Sequence, residues 1–173
     1  MAILILNQLS GINAILLYAK QLFMKISEYD EDKSNSYLLI LGAIQILATF
    51  AGGWLANEYG RKKTLINGGM LVTGVLFLVF ITYSWDQKQS KLLVLLILTY
   101  IIGYSMSIGS TSMIYLAELL PDLSIIIMIY WGMTLLASLT SQIILNAFGI
   151  SITFLMFGLI NVVCLWYMRS SMV

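Results

Sequence analysis

The chain opens with an apolar segment that contains several amide and hydroxyl side chains. Residues 7–13 read NQLSGIN and place Asn7, Gln8, Ser10 and Asn13 in a run long enough to cross a membrane. A carboxamide both donates and accepts hydrogen bonds and carries no charge. In hydrocarbon, such a group costs free energy unless it has a partner. These side chains therefore either bond to neighbouring helices or face a polar cavity.

A regular helix does not bring these groups together. At about 100° per residue, four polar or small residues share one broad side: Asn7, Ser10, Gly11 and Tyr18. Gln8 and Asn13 point away from that side and from each other. We expect either a bend or unwinding at residues 10–11 that lines a water-filled cavity, or amides that hold helices together. Gln45, in the middle of the next apolar run, presents the same choice.

The composition places the chain in a membrane. Of its 173 residues, 60% are hydrophobic and 10% charged, and its mean hydropathy is +0.94. A soluble domain carries about 25% charged residues. The net charge of +1 and the single basic cluster, residues 61–63, argue against nucleic acid as a partner. With no histidine and one cysteine, Cys164, the sequence offers no metal site, no cofactor site and no catalytic constellation.

Hydropathy predicts an all-α transmembrane bundle of six helices that occupies residues 1–173. The predicted spans are 2–24, 36–57, 64–84, 92–117, 125–148 and 150–168. We expect the polar stretch KISEYDEDKSNS, 25–36, to be a solvated loop, and a tight turn near Gly149. Small residues recur every fourth position in the second span, at Ala48, Gly52 and Ala56, and predict a close approach of another helix. The Lys and Arg residues divide evenly between the two sides and do not set the orientation.

Three motifs, in this order, resemble the C-terminal half of a sugar porter of the major facilitator superfamily. NQLSGINAILLYAKQLF resembles its seventh span, whose signature has paired glutamines, Ser-Gly-x-Asn and paired tyrosines. NEYGRKKTL resembles the loop between its eighth and ninth spans, and IYLAELLP resembles the end of its tenth. The stretch SIGSTSM, 107–113, departs from the family, which has a proline- and glycine-rich segment there.

The resemblance implies which residues bind substrate. Gln8 and Asn13 match amides that bond to sugar hydroxyls, and Asn7 stands where the family has a further glutamine. Three other positions match residues of the family's cavity: Tyr18, Gln45 and Trp131. Amides suit a sugar because each hydroxyl both donates and accepts a hydrogen bond.

The resemblance also implies a gate and an orientation. Gly60 and Arg61 in the short hairpin, with Glu118, would form a cytoplasmic latch, and both termini would be cytoplasmic. We expect a multi-pass integral membrane protein that moves a hexose or related sugar by alternating access and is not an enzyme. The expected partners are the sugar, the lipid bilayer and a second six-span half, because a sugar porter has two halves.

Two interpretations of a six-span chain stay open. It is a half or a fragment of a sugar porter, and the start inside a span favours a fragment. Alternatively, it is a non-transporting membrane protein, a remnant or an assembly partner, whose intramembrane amides only pack helices together.

Overall fold

The computed structural model describes residues 7–26, 30–85, 90–119 and 123–171, and these ranges are helical apart from short breaks. The helices are α1 (Ile12–Ile26), α2 (Glu31–Tyr59), α3 (Arg61–Trp85), α4 (Ser90–Tyr104), α5 (Ser110–Leu119) and α6 (Leu123–Ser171). A π-helical segment, Ser105–Gly109, joins α4 to α5. The all-α fold expected from hydropathy is confirmed.

Five helical stretches are long and apolar enough to cross a membrane. They are Glu31–Tyr59, Arg61–Trp85, Lys91–Ile114, Ile127–Gly149 and Ser151–Ser170, and each overlaps one of the last five predicted spans. The first predicted span, 2–24, lies partly outside the described residues. The division of the whole chain into six spans therefore stays a prediction.

The prediction of a loop over 25–36 was wrong in its second part, because α2 already begins at Glu31. Asp30 caps the helix, since its Oδ1 accepts a hydrogen bond from the Lys33 backbone amide at 3.1 Å. The negative charges of Glu31 and Asp32 in the first turn interact favourably with the positive end of the helix dipole. Ser34 is buried and its hydroxyl donates to the Lys20 carbonyl at 3.4 Å, which ties this polar turn to α1.

Helix α6 consists of two antiparallel arms, residues 123–148 and 150–171. Gly149 separates them with the positive φ of 76°, which glycine adopts at little cost. In a continuous helix, Tyr130 and Asn161 would lie about 46 Å apart. Instead, the Tyr130 carbonyl and the Asn161 amide each contact residues 8–10. The predicted turn near Gly149 is confirmed.

Helix α3 packs against α4 and against the second arm of α6. Its buried face includes Val72 and Leu76. Gly69 leaves room for the Leu165 side chain of the second arm. Near the other end of α3, the hydroxyls of Ser84 and Ser151 are 2.6 Å apart. These contacts fix α3 alongside the second arm over most of its length.

The π-helical segment packs against the small residues of α2. Ala48, Gly52 and Ala56 are all buried, as the fourfold spacing predicted. A Cβ placed on Gly52 would lie 2.5 Å from the Met106 carbonyl oxygen and 2.7 Å from its Cα. Glycine is therefore required for α2 to approach Ser105–Gly109 this closely.

We expect Gly52→Ala to destabilise the protein by about 1–3 kcal/mol, because the added methyl group overlaps backbone atoms of Met106 that have little room to move. Gly53→Ala is the matched control, since a Cβ there meets nothing within 4 Å. Thermal unfolding in detergent measures both. Equal melting temperatures for the two variants would contradict the close approach.

The cap of α2 makes a pH-dependent contribution. The hydrogen bonds that Lys33 donates to Asp30 hold the pKa of this carboxyl below its usual value of 3.8. Since the folded-state pKa is depressed, the contribution is present at neutral pH and is lost as the pH falls through the lowered pKa. We expect the chemical shift of the Lys33 amide in micelles to titrate with a midpoint below 3.8, and not to titrate in Asp30→Asn. A midpoint at or above that value would contradict the cap.

Candidate functional site

The first described segment is broken at Ser10 and Gly11, which is one of the two alternatives that the polar residues left open. Residues 7–9 form one helical turn, and α1 starts at Ile12. Gly11 has a φ of 95°, which side-chain-bearing residues rarely adopt. The Phe157 ring packs against it, so that a Cβ would lie 3.0 Å from the ring Cδ2. Backbone conformation and packing thus both require glycine at this position.

The Ser10 carbonyl at the break accepts two hydrogen bonds from other helices. The Ser10 carbonyl accepts from the Tyr100 hydroxyl at 2.9 Å and from the Asn161 side-chain amide at 3.3 Å. The Ser10 hydroxyl donates to the Asn7 carbonyl at 2.9 Å. A break in a membrane helix is tolerated when neighbouring helices supply such partners. Helix α4 and the second arm of α6 supply them here.

Asn7 is the most completely engaged of the amides. Its exposed fraction is 2%. Its Nδ2 donates to the Ile108 carbonyl at 3.3 Å, and its Oδ1 accepts from the Tyr104 hydroxyl at 3.1 Å. Both functional groups of this carboxamide therefore bond within the protein. This geometry favours a structural role over the substrate contact that the family resemblance implies.

In a regular helix, Gln8 and Asn13 would point away from each other. In the structure their side chains are in contact. The Asn13 Nδ2 donates to the Gln8 Oε1 at 2.8 Å. The prediction was wrong because the break at Gly11 changes the rotation of the chain between the two residues. The two amides form a pair, which we call the amide pair.

The amide pair lies beside the first arm of α6. The Gln8 Nε2 is 3.5 Å from the Tyr130 carbonyl oxygen, which is the long limit of a hydrogen bond. The next residue, Trp131, is 64% exposed and packs edge-on against the Tyr130 ring at 5.7 Å between centroids. Asn13 is half-buried, and its Oδ1 has no hydrogen-bond partner among the described residues. The pair thus has one acceptor without a partner among the described residues, and the residue that follows Tyr130 carries an exposed indole ring.

Of the other residues predicted on α1 and α2, only Gln45 has a described side chain. Gln45 is half-buried on α2, and no contact of its side chain with the amide pair occurs within the described part of the chain. The side chain of Tyr18, on α1, lies outside the described residues. Its predicted role therefore stays a prediction.

The predicted latch is described only in part. Gly60 ends α2 with a φ of 85°, and Arg61 is the half-buried first residue of α3. Glu118 belongs to α5, but its side chain lies outside the described residues. A pair between Arg61 and Glu118 stays a prediction.

Sequence reasoning missed three residues that hold the break: Tyr100, Tyr104 and Asn161. Each carries a signal. The two tyrosines are four residues apart inside an apolar span, so they lie on one face of α4, far from the interfaces where tyrosine is usual. Asn161 is an amide inside an otherwise apolar stretch, and such residues usually face the inside of the bundle.

The model of one protein family, described as "Sugar (and other) transporter", matches residues 1–172. The chain belongs to this family. The sugar porter resemblance drawn from the three motifs is thereby confirmed at the level of the family. A multi-pass integral membrane protein follows from this membership and the five apolar helices.

Curated relatives of this sugar transporter chain are named as transporters. It is 23% identical to an arabinose-proton symporter of Bacillus subtilis (strain 168), over 91% of the chain and 35% of the relative. It is 30% identical to the facilitated trehalose transporter Tret1 of Aedes aegypti, over 94% of the chain and 22% of the relative. The chain is 27% identical to the major myo-inositol transporter IolT of Bacillus subtilis (strain 168), over 91% of the chain and 35% of the relative. The chain thus spans between about a fifth and a third of the length of these relatives.

The role of Asn7 is testable by a double-mutant cycle. We expect Asn7→Leu to destabilise the protein by about 1–3 kcal/mol, because it leaves the buried Tyr104 hydroxyl without an acceptor. The Ile108 carbonyl keeps a second donor, the Ser112 hydroxyl at 2.5 Å. Adding Tyr104→Phe to Asn7→Leu removes the unpaired group and should recover part of the loss. Strictly additive losses, measured by thermal unfolding, would contradict a direct Asn7–Tyr104 interaction.

Proposed function

We propose that this chain forms the C-terminal half of a sugar porter and contributes to moving a hexose or related sugar across a membrane by alternating access. The observation that carries the proposal is the amide pair. Gln8 and Asn13 meet because the helix is broken at Gly11, and Asn13 keeps a free acceptor. Membership of the sugar transporter family and relatives named for arabinose, trehalose and myo-inositol support a polyhydroxylated substrate.

The amide pair offers hydrogen-bonding groups that suit a sugar hydroxyl. The Asn13 Oδ1 accepts from one hydroxyl, and the Gln8 Nε2 exchanges its long contact with the Tyr130 carbonyl for a shorter one to the sugar. Trp131, the residue after Tyr130, would supply an indole N–H and an exposed apolar face. Gln45 and Tyr18 are proposed as further contacts on the strength of the family resemblance alone.

The packing alternative describes part of the same cluster. Asn7 is buried and uses both groups of its carboxamide inside the protein, as an amide that holds helices together does. Asn13 differs, because it is only half-buried and retains an unused oxygen. Gln8 is as buried as Asn7 and bonds to both Asn13 and Tyr130, but its contact with Tyr130 is long. We therefore assign Asn7 to holding the break and propose Asn13, with its partner Gln8, for the substrate.

The second half of the transporter is proposed to pack on α2 and on the first arm of α6. Within their most apolar stretches, 17% of residues in α2 and 11% in the first arm are buried, against 44% in α3. These two spans thus have the least contact with the rest of the chain. Trp131 lies on the first arm, so the amide pair would face the space between the halves.

Orientation and gating follow from the resemblance. We propose that both termini and the hairpin at Gly60 are cytoplasmic. Arg61 at the start of α3 and Glu118 near the end of α5 would then approach each other when the transporter closes toward the cytoplasm. An ion pair that forms only in this closed state would shift the equilibrium toward it.

Uptake of labelled sugar by the complete transporter tests the function. We expect Asn13→Leu and Gln8→Leu to lower uptake by more than about tenfold, which corresponds to about 1.4 kcal/mol in transition-state or binding free energy. Asn35→Leu is the matched control, because it removes an exposed amide at the start of α2. Surface amount should be unchanged in Asn13→Leu, and its loss of stability should stay within about 1–3 kcal/mol, because the Gln8 Oε1 loses its donor.

Two outcomes would contradict the assignment. Wild-type uptake in both variants would exclude the amide pair from the substrate site. Loss of assembly in Asn13→Leu, with no thermal stabilisation of the wild-type protein by any sugar, would instead favour the packing role.

A further inference from the structure

A cleft of about 480 Å³ lies between α2, α3 and α4, beside the hairpin at Gly60. It follows α3 from Lys63 to Leu71 and reaches the π-helical segment at Ser107. Lys63 and Leu71 are eight residues apart, so this wall is about 12 Å long. The cleft therefore extends from the end of the membrane-spanning helices into less than half of the ~30 Å hydrocarbon layer.

The walls of the cleft suit a hydrocarbon chain. Four of the lining residues are large and apolar: Leu55, Leu71, Ile102 and Met106. Leu71 is 48% exposed and Ile102 is 38% exposed, so these side chains are in contact with whatever fills the cleft.

The Ser and Thr hydroxyls that line the cleft already donate hydrogen bonds to backbone carbonyls. Thr64 donates to the Gly60 carbonyl at 3.1 Å, Thr99 to the Leu95 carbonyl at 2.8 Å, and Ser107 to the Gly103 carbonyl at 2.5 Å. Each of these bonds runs to the same helix, four residues earlier. The inner part of the cleft thus offers little to a polar ligand.

The rim of the cleft is polar and positively charged. Tyr59, Lys63 and Asn67 line it and are exposed. Within the described ranges, these three side chains have no hydrogen-bond or ion-pair partner. Residues 57–64 contain three cations and one acid, Glu58. An anion with donors and acceptors of its own is the chemical complement of this rim.

From these features we infer that the cleft binds an anionic glycerophospholipid of the leaflet that faces the Gly60 hairpin. The phosphate lies at Lys63, with Tyr59 and Asn67 as hydrogen-bonding groups, and one acyl chain lies along Leu71 and Ile102. A basic pocket between membrane helices at the interface attracts such lipids by charge, and the apolar cleft beneath it adds burial of the chain. The bilayer that surrounds the protein supplies this ligand at high local concentration.

The lipid site is distinct from the amide pair. None of the residues that line the cleft belongs to residues 7–13 or to the first arm of α6. The two regions share α4 and the π-helical segment, where Ser107 faces the cleft and the Ile108 carbonyl accepts from Asn7. The inference therefore does not depend on the proposed function.

Lipid retention by the full chain tests the inference. The protein is purified in detergent, mixed with phosphatidylglycerol or phosphatidylcholine, and examined by native mass spectrometry and thermal unfolding. We expect phosphatidylglycerol to be retained and to raise the melting temperature more than phosphatidylcholine does. The difference should shrink at high salt, since the rim is exposed.

Four variants locate the site. Lys63→Gln should lose the preference for phosphatidylglycerol, whereas Lys91→Gln, an exposed lysine at the start of α4, should keep it. Ile102→Trp fills the cleft and should lose retention of both lipids. Leu95→Trp adds the same bulk at a site on α4 that is 60% exposed and outside the cleft, and should retain them.

Either of two results would overturn the inference. One is equal retention of phosphatidylglycerol by Lys63→Gln and Lys91→Gln together with equal retention by Ile102→Trp and Leu95→Trp, which would place any bound lipid elsewhere. The other is no retention of phosphatidylglycerol by the wild-type protein at low salt, which would leave the cleft without this ligand.

Discussion

The carbonyl of Ser10 is the group on which the arrangement of the described helices depends. A break in a membrane helix releases backbone groups that hydrocarbon cannot satisfy, so their partners must come from the protein. Tyr100 and Asn161 both donate to this oxygen, from positions 90 and 151 residues further along the chain. One backbone oxygen thus ties the first segment to α4 and to the second arm of α6. Gly11, the glycine at the break, also packs against the Phe157 ring of that arm.

The π-helical segment is where the polar and the small-residue contacts meet. Its Ile108 carbonyl accepts from Asn7, and its Met106 backbone lies against Gly52 of α2. π-Helical turns occur frequently at functional sites. In this chain the segment bonds to Asn7, which precedes the amide pair, and also lines the cleft proposed for a lipid. A change in its backbone would therefore alter the surroundings of both.

Hydropathy and residue size were sufficient to predict the helices, the close approach at Gly52 and the turn at Gly149, because each depends on local composition. The break near Gly11 was one of two alternatives that the polar residues left open. The contact between Gln8 and Asn13 was not predictable, since it depends on how far the chain rotates at Gly11. The sequence did not indicate the π-helical segment either, because nothing in the residues SMSIG distinguishes it from the α-helices on both sides. The early start of α2 was readable in principle, from an aspartate followed by two acidic residues.

The difference between Asn7 and Asn13 is the strongest argument that the cluster binds a ligand. A carboxamide that only holds helices together gains most when both of its groups are bonded, and Asn7 meets that condition. An unused oxygen in hydrocarbon costs free energy, whereas in water or against a hydroxylated ligand it does not. The Asn13 Oδ1 has no partner within the described residues, and in the proposed transporter water or a hydroxyl of the substrate would be its partner. The proposed binding of a sugar rests on this open side of the amide pair, because a fully satisfied pair would have no group to offer the substrate.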